Sequence, residues 1–342
     1  TFRHGQRAPA DTFPTDPHIN QTFAPNGWGQ LTNEGKMQQY EQGQFLKKRY
    51  GHFVGGQYRP ELIEAWTTDV DRTKMSMQLM MAGLLPPSGE DVWNKDLNWQ
   101  PVPSSHEKLS KDTLLLVRGC PRYAEAMDAL LKDPEIKTKL DSYKELNEYL
   151  TEKTGMPINT PDDVQSIYST LKAEEDYGLE LPEWTKSVYP EKMKEATEFS
   201  FIMNAYTREL QKIKGGPLIK KILEDAKAKA EEKSQKRLYA YAGHDSTISN
   251  VLLALKMWDP QVPVYNIMII FELHQIEDKY GLKVFLRNTT THEPYPLTMP
   301  GCQHFCPLDE VVKLSEDIIP DKLTEACKAK DSSYTPPKDS GP

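Results

Sequence analysis

The stretch Tyr239-Ala240-Tyr241-Ala242-Gly243-His244-Asp245-Ser246-Thr247 decides the fold. A short apolar run stops at Gly243, two ionisable side chains follow, and a helical pattern begins. Ile248, Val251, Leu252 and Leu255 recur at the spacing of one helix face, with Asp245 or Ser246 placed to cap it. A strand that passes to a helix through a polar turn puts that turn at the carboxyl edge of a sheet, where open α/β folds bind ligands. His244 and Asp245 are therefore read as site residues.

A turn rich in the same chemistry opens the chain: Phe2-Arg3-His4-Gly5-Gln6-Arg7-Ala8-Pro9. Histidine gains and loses its proton near neutrality. Guanidiniums stay charged at any biological pH and match a tetrahedral oxyanion with forked hydrogen bonds. A histidine set between arginines points to attack by His4 on a phosphoryl group held by Arg3 and Arg7. Gly5 would let backbone approach a ligand, and Pro9 would stiffen the exit. Farther on, Leu62 to Thr67 reads as a strand, and Thr68-Asp69-Val70-Asp71-Arg72-Thr73 leads into a Met-rich helical run to Leu85. Arg72 sits at the opening of that helix, where anions are attracted, and becomes a third candidate for the same pocket. The methionines are read as core.

Between these landmarks lies a Pro- and Asp-rich loop from Pro9 to Asn26, then Thr32 as a helix cap and a core-facing stripe of Met37, Tyr40, Gly43, Leu46 and Tyr50. Pro86 to Pro103 is irregular. From Pro121 to about Gly215 the composition shifts to Lys, Glu, Asp and helix formers. We therefore expect an α/β catalytic unit from residues 1–120 and 216–342, interrupted by a helical cap from 121 to 215, whose charge runs are solvated faces. Pro217 suits the first turn of a helix reaching about Lys236. Ile267 to Leu273 and Leu282 to Leu286 predict a hairpin, which adds an antiparallel part to the sheet. The Ser-, Pro- and Asp-containing tail after about Lys328 predicts a segment without packed structure.

The chain has 342 residues, 38% hydrophobic, with a formal charge of −8. That length supports about two domains. The acidic balance argues against nucleic acid as a main partner, and an arginine cluster within it suggests a small anionic ligand. No apolar run approaches the roughly 20 residues of a membrane span. Cys120, Cys302, Cys306 and Cys327 allow three disulfide pairings. They lack the spacing of a zinc site, His304 being the one nearby imidazole. Asn20-Gln21-Thr22 and Asn288-Thr289-Thr290 are glycosylation sequons. With an even cysteine count they suggest a secreted or lysosomal protein. The chain does not start with Met, and only Thr1 and Phe2 precede the Arg-His-Gly turn. A signal peptide and the first strand are expected upstream.

Arg3-His4-Gly5-x-Arg7-x-Pro9 together with His244-Asp245 resembles the histidine acid phosphatase family. The likeness extends to Asp11-Thr12-Phe13-Pro14-Thr15-Asp16-Pro17, Thr68-Asp69-Val70-Asp71-Arg72-Thr73, Trp99-Gln100-Pro101 and Arg287-Asn288-x-Thr290-x-His292-Glu293-Pro294-Tyr295-Pro296-Leu297, which look like the prostatic and lysosomal branch. It covers nearly the whole chain and is weakest in the helical insertion. The resemblance implies a doubly wound, mixed, mostly parallel sheet flanked by helices, with a smaller helical insertion. It implies His4 as nucleophile forming a phosphohistidine, Arg3, Arg7, Arg72 and His244 as ligands of the phosphoryl oxygens, and Asp245 as proton donor. It implies small phosphorylated substrates, no cofactor or metal, a homodimer, and the pairs Cys120–Cys327 and Cys302–Cys306. Gln6 stands where this branch often has Asp, and Tyr168 where relatives place a pocket-lining Trp. A further disulfide common in the branch has no cysteines here. Alternatives are a narrower lysophosphatidate- or phytase-like phosphatase, or a low-turnover secreted ligand-binding effector on the same scaffold.

The chemistry agrees with that division of labour. Phosphoryl transfer is mostly positioning and charge neutralisation, which cationic clamps supply. A covalent intermediate splits one hard step into two. An alkoxide leaves poorly unless protonated, so Asp245 must begin with a proton, and an acidic optimum is expected.

Overall fold

The computed structural model describes residues 1–289 and 292–336. Its centre is strand β3, and the elements are most easily placed around it. In chain order they are β1 (Phe2–Arg3), α1 (Asn33–Val54), β2 (Ile63–Thr67), α2 (Asp71–Leu84), then six helices without a strand: α3 (Pro121–Leu130), α4 (Pro134–Asp141), α5 (Lys144–Thr154), α6 (Pro161–Asp176), α7 (Glu191–Asn204) and α8 (Arg208–Lys214). There follow α9 (Gly216–Ala230), β3 (Leu238–Gly243), α10 (Asp245–Ala254), β4 (Met268–Ile276), β5 (Lys279–Arg287), β6 (Tyr295–Leu297), β7 (Cys306–Pro307), α11 (Leu308–Ser315) and α12 (Leu323–Ala326).

The strand order is β2-β3-β1-β4-β5-β6, with β7 beside β5. The sheet is mixed. Parallel pairing is confined to β2, β3 and β1, and the pairings from β4 onward are antiparallel. Although only Thr1 and Phe2 precede Arg3, a first strand is present. Phe2 pairs with Ala242 on one side and Met268 on the other.

Alternation along β3 separates the two faces, as a strand period of two requires. Tyr241 packs with Ile219 and Leu223 of α9, Val251 and Leu252 of α10 and Val311 of α11. Ala240 and Ala242 pack with Leu46 of α1 and Met77, Met80 and Met81 of α2, so the Met-rich run is core. Helices α1 and α2 touch backbone to backbone: a Cβ at Gly43 would lie 2.0 Å from Met80 O. Thr32 caps α1 by accepting from Gly35 N at 3.0 Å.

Helix α9 ends at Ala230, short of the expected Lys236, and His244 rather than Asp245 or Ser246 occupies the cap position of α10. The hairpin turn is Glu277-Asp278, both with positive φ, as a two-residue connection of twisted strands favours. The tail up to residue 336 differs from its sequence reading, and residues 337–342 lie outside the described residues. Glu125 on α3 accepts the backbone N–H groups of Lys330 and Asp331, and Tyr334 donates to Asp128 at 2.7 Å. Carboxylates on α3 hold a stretch whose composition has little to bury. Cys120–Cys327 and Cys302–Cys306 are disulfide-bonded, and no free cysteine is found among the described residues.

Helices α3–α8 enclose clusters of their own, one around Leu150, Val164, Leu171 and Met193, another around Ile136 and Leu210. The loop leaving Arg7 inserts Phe13 into the first. Its Asp16 meets Glu174 of α6, and both are buried. Burial, then the neighbouring Asp16, push the Glu174 carboxyl up to about 8. A carboxyl that holds its proton more tightly in the folded chain contributes stability that is fully present below about 4.5 and is lost as pH rises through about 8. Glu174→Gln removes that dependence. At about 1.4 kcal/mol per pKa unit, the expected gain near pH 8 is roughly 2–5 kcal/mol, with almost none near pH 4. Thermal unfolding at both pH values reads it, and equal shifts at the two would exclude a raised Glu174 carboxyl.

Candidate active site

The site forms where the parallel strands end. β1 delivers Arg3 and His4, β2 leads through Thr67 and Thr68 to Arg72 on α2, and β3 delivers His244 and Asp245. The His4 backbone is pinned on both sides: its N–H donates to Gly243 O at 3.1 Å, and its carbonyl accepts from Asn266 N at 3.1 Å. Gly5 is required by packing. A Cβ there would lie 2.3 Å from Gly35 O at the start of α1. Its N–H reaches Ser76 Oγ at 3.2 Å.

The hydrogen bonds define the state of His4. Its Nδ1 lies 2.8 Å from Gly5 O. A carbonyl only accepts, so Nδ1 carries the proton and Nε2 holds a free lone pair. Arg72 Nε donates toward that Nε2 at 3.2 Å. Burial, then Arg72, Arg3, His244 and Arg7, hold the His4 imidazole well below its ordinary pKa. The lowering favours the neutral imidazole in acid, where an exposed histidine would be charged.

A hydroxyl relay orients His244. Thr73 Oγ1 donates to backbone carbonyls and Thr68 Oγ1 lies 2.8 Å from it. Thr73's one hydroxyl proton is committed, so Thr68 donates to Thr73 and accepts from His244 Nε2 at 2.9 Å. Burial and then Arg72 lower His244 to about 3. Its ring meets that of His4 edge-on, centroids 5.5 Å apart.

Arg3 Nη2 pairs with Asp245 Oδ2 at 2.9 Å. Burial alone would raise the Asp245 carboxyl, but Arg3, His244, the Ser246 N–H and Arg7 outweigh it and hold the group below its usual value. Three guanidiniums face this one carboxylate, leaving a positive excess that a phosphate dianion would neutralise. Burial and then Arg7 bring Arg72 down to about 10, still charged in acid. Arg3 Nε is buried and finds no acceptor among the described residues.

Arg3, His4, Arg7, Arg72, His244 and Asp245 are thus one electrostatically coupled cluster. Gln6 adjoins it, but its amide donates to Asp176 O at the end of α6, at 2.9 Å. Tyr168 stands apart, buried in the helical insertion with its ring 5.2 Å from Tyr189. Asn20 is exposed on the loop after Arg7. Asn288 follows β5, and its sequon ends at Thr290, outside the described residues. The sequence reading missed Pro263, whose carbonyl accepts from Arg3, and Tyr265, whose ring lies under the Arg3 guanidinium at 4.4 Å. Among the described residues no group of acidic, His and Cys side chains could hold a metal, and no helix is long and apolar enough to cross a membrane.

A paired-turn site of this kind on a mixed α/β sheet defines a class of phosphoryl-handling proteins. The chain belongs to the histidine phosphatase superfamily (branch 2), whose family model matches residues 2–284. It is 39% identical to venom acid phosphatase Acph-1 of Apis mellifera over 333 residues, covering 95% of this chain and 86% of that protein. It is 36% identical to prostatic acid phosphatase of Homo sapiens, covering 97% and 87%. A Hafnia alvei phytase in complex with myo-inositol hexakis sulphate has the same fold, with a TM-score of 0.71, 17% identity and 96% of each chain covered.

Proposed function

We propose that this acid phosphatase hydrolyses small phosphate monoesters by attack of His4 Nε2 on phosphorus. The observation that carries the reading is the Nδ1–Gly5 contact, which leaves Nε2 unprotonated inside a ring of guanidiniums. In the first step the Nε2–P bond forms, the P–O bond to the alcohol breaks, and Asp245 gives its proton to the departing oxygen. In the second, Asp245 takes a proton from water, water attacks phosphorus, and the N–P bond breaks. Arg3, Arg7 and Arg72 neutralise the equatorial oxygens throughout. His244, its ring edge-on to that of His4 with centroids 5.5 Å apart, completes the proposed set of phosphoryl ligands.

Two disulfides support placement in an oxidising compartment, secreted or lysosomal. Assembly as a homodimer belongs to the same proposal, and sedimentation at micromolar protein reads it. The decisive experiment is alkaline denaturing quench during turnover of phosphorus-labelled p-nitrophenyl phosphate at about pH 5, roughly one unit below the second ionisation of a phosphate monoester. An acid-labile, base-stable label on the His4 peptide is expected. Label on any other side chain overturns the assignment.

A further inference from the structure

We propose that Tyr265 is a positioning residue that keeps Arg3 aimed at the phosphoryl group while Asp245 is protonated. The inference rests on the roles given above to Arg3 and Asp245. Those roles create a difficulty. In this structure the Asp245 carboxylate grips Arg3 at 2.9 Å. To act as an acid, Asp245 must be neutral, and a neutral carboxyl is a weaker acceptor for a guanidinium than a carboxylate. Arg3 would then lose its main side-chain anchor at the moment its direction matters most.

The segment Pro263-Val264-Tyr265-Asn266 supplies anchors other than a carboxylate: a backbone carbonyl and an aromatic face. Pro263 O accepts from Arg3 Nη1, and the Tyr265 ring lies 4.4 Å from the Arg3 guanidinium carbon. The same ring stands 5.9 Å from that of His4, so it touches the nucleophile's surroundings as well. The segment is itself fixed. Asn266 donates its N–H to His4 O at 3.1 Å and its side-chain amide to Gln38 O at 3.2 Å, and Val262 packs against the helical insertion. Stacking on an aromatic face leaves the guanidinium's in-plane N–H groups free for phosphate, which a second ion pair would not. The charged groups facing Asp245 are Arg3 and Arg7 from the first turn, Arg72 from α2 and His244 from α10; Tyr265 faces Arg3 and Arg72. Of these, Asp245 is the group whose protonation releases Arg3.

The test compares Tyr265→Leu, Tyr265→Phe and wild type from about pH 4.5 to 7.5, measuring the binding of inorganic phosphate calorimetrically and kcat and KM for p-nitrophenyl phosphate. Dividing variant by wild type at each pH cancels the ionisation of the phosphate itself. Tyr265→Leu is expected to weaken phosphate binding and raise KM by about 3- to 30-fold at acid pH, the range of a desolvated cation–π contact. The factor should shrink toward neutrality, where the carboxylate shares the holding of Arg3. Tyr265→Phe keeps the ring face and should track wild type. A folded Leu variant with wild-type phosphate affinity in acid overturns the proposal, as does a loss that is the same at every pH or is matched by Phe. Wild-type protein that binds phosphate without turning over the ester would instead count against the hydrolase reading, with the affinity comparison still deciding the role of Tyr265.

Discussion

His4→Ala is expected to lower turnover by about 10⁴-fold or more, the scale on which losing a covalent nucleophile is felt, while inorganic phosphate still binds. The reason lies in how the site is divided. Arg3 and Arg7 are held by partners other than His4, Arg3 by Pro263 and Asp245 and Arg7 by Ala8 O, while Arg72 Nε donates toward His4 Nε2 itself. Removing the imidazole leaves Arg3 and Arg7 in place and takes away the Nε2 lone pair that faces the guanidiniums. The His4 backbone bonds to Gly243 and Asn266 do not need the side chain, so the turn should survive. Steady-state kinetics and phosphate calorimetry on the same preparation check this. A variant that keeps more than about a tenth of wild-type turnover would remove His4 from the chemistry altogether.

Asp245→Asn should divide substrates by leaving group. An alkyl phosphate departs as a poor leaving group and needs its proton, so a loss of about 10²–10⁴-fold is expected. An activated aryl phosphate departs with little help and should lose far less from the first step. The pH profile carries a second signature. In the free protein Asp245 is held below its usual pKa by Arg3, His244, the Ser246 N–H and Arg7 acting against burial. A bound dianion cancels part of that field and raises the carboxyl in the complex. Activity that needs protonated Asp245 therefore falls as pH rises through that raised value, and Asn should flatten this limb. Equal losses on alkyl and aryl esters, with the limb unchanged, would show that another group supplies the proton.

The six clustered residues were legible because each belongs to a local pattern: a strand, a turn and the start of a helix, read within about ten residues. Tyr265 was not, for a topological reason. β4 runs antiparallel to β1, so the residues just before β4 arrive at the edge where β1 ends. Recognising the hairpin as antiparallel without its register against β1 left that loop unplaced. The Asp16–Glu174 contact was invisible for a different reason. Charged residues on a helix are usually solvated, and nothing local marks the one that faces a carboxyl across a buried interface. The packing role of Gly5 was not legible because the sequence shows that a side chain is missing, but not what fills its place; Gly35 does. The tail was misread because Glu125, far away in the chain, satisfies backbone groups that composition alone leaves to water.

The Cys120–Cys327 bridge spans 207 positions and joins the start of α3 to the end of α12. Arg3, His4, Arg7 and Arg72 lie before its first cysteine, and His244 and Asp245 lie between the two. A protease that nicks the long helical stretch would sever the peptide link between nucleophile and proton donor. The cut molecule would nonetheless remain one covalent body with both halves of its chemistry tethered, and only a reductant could let them part.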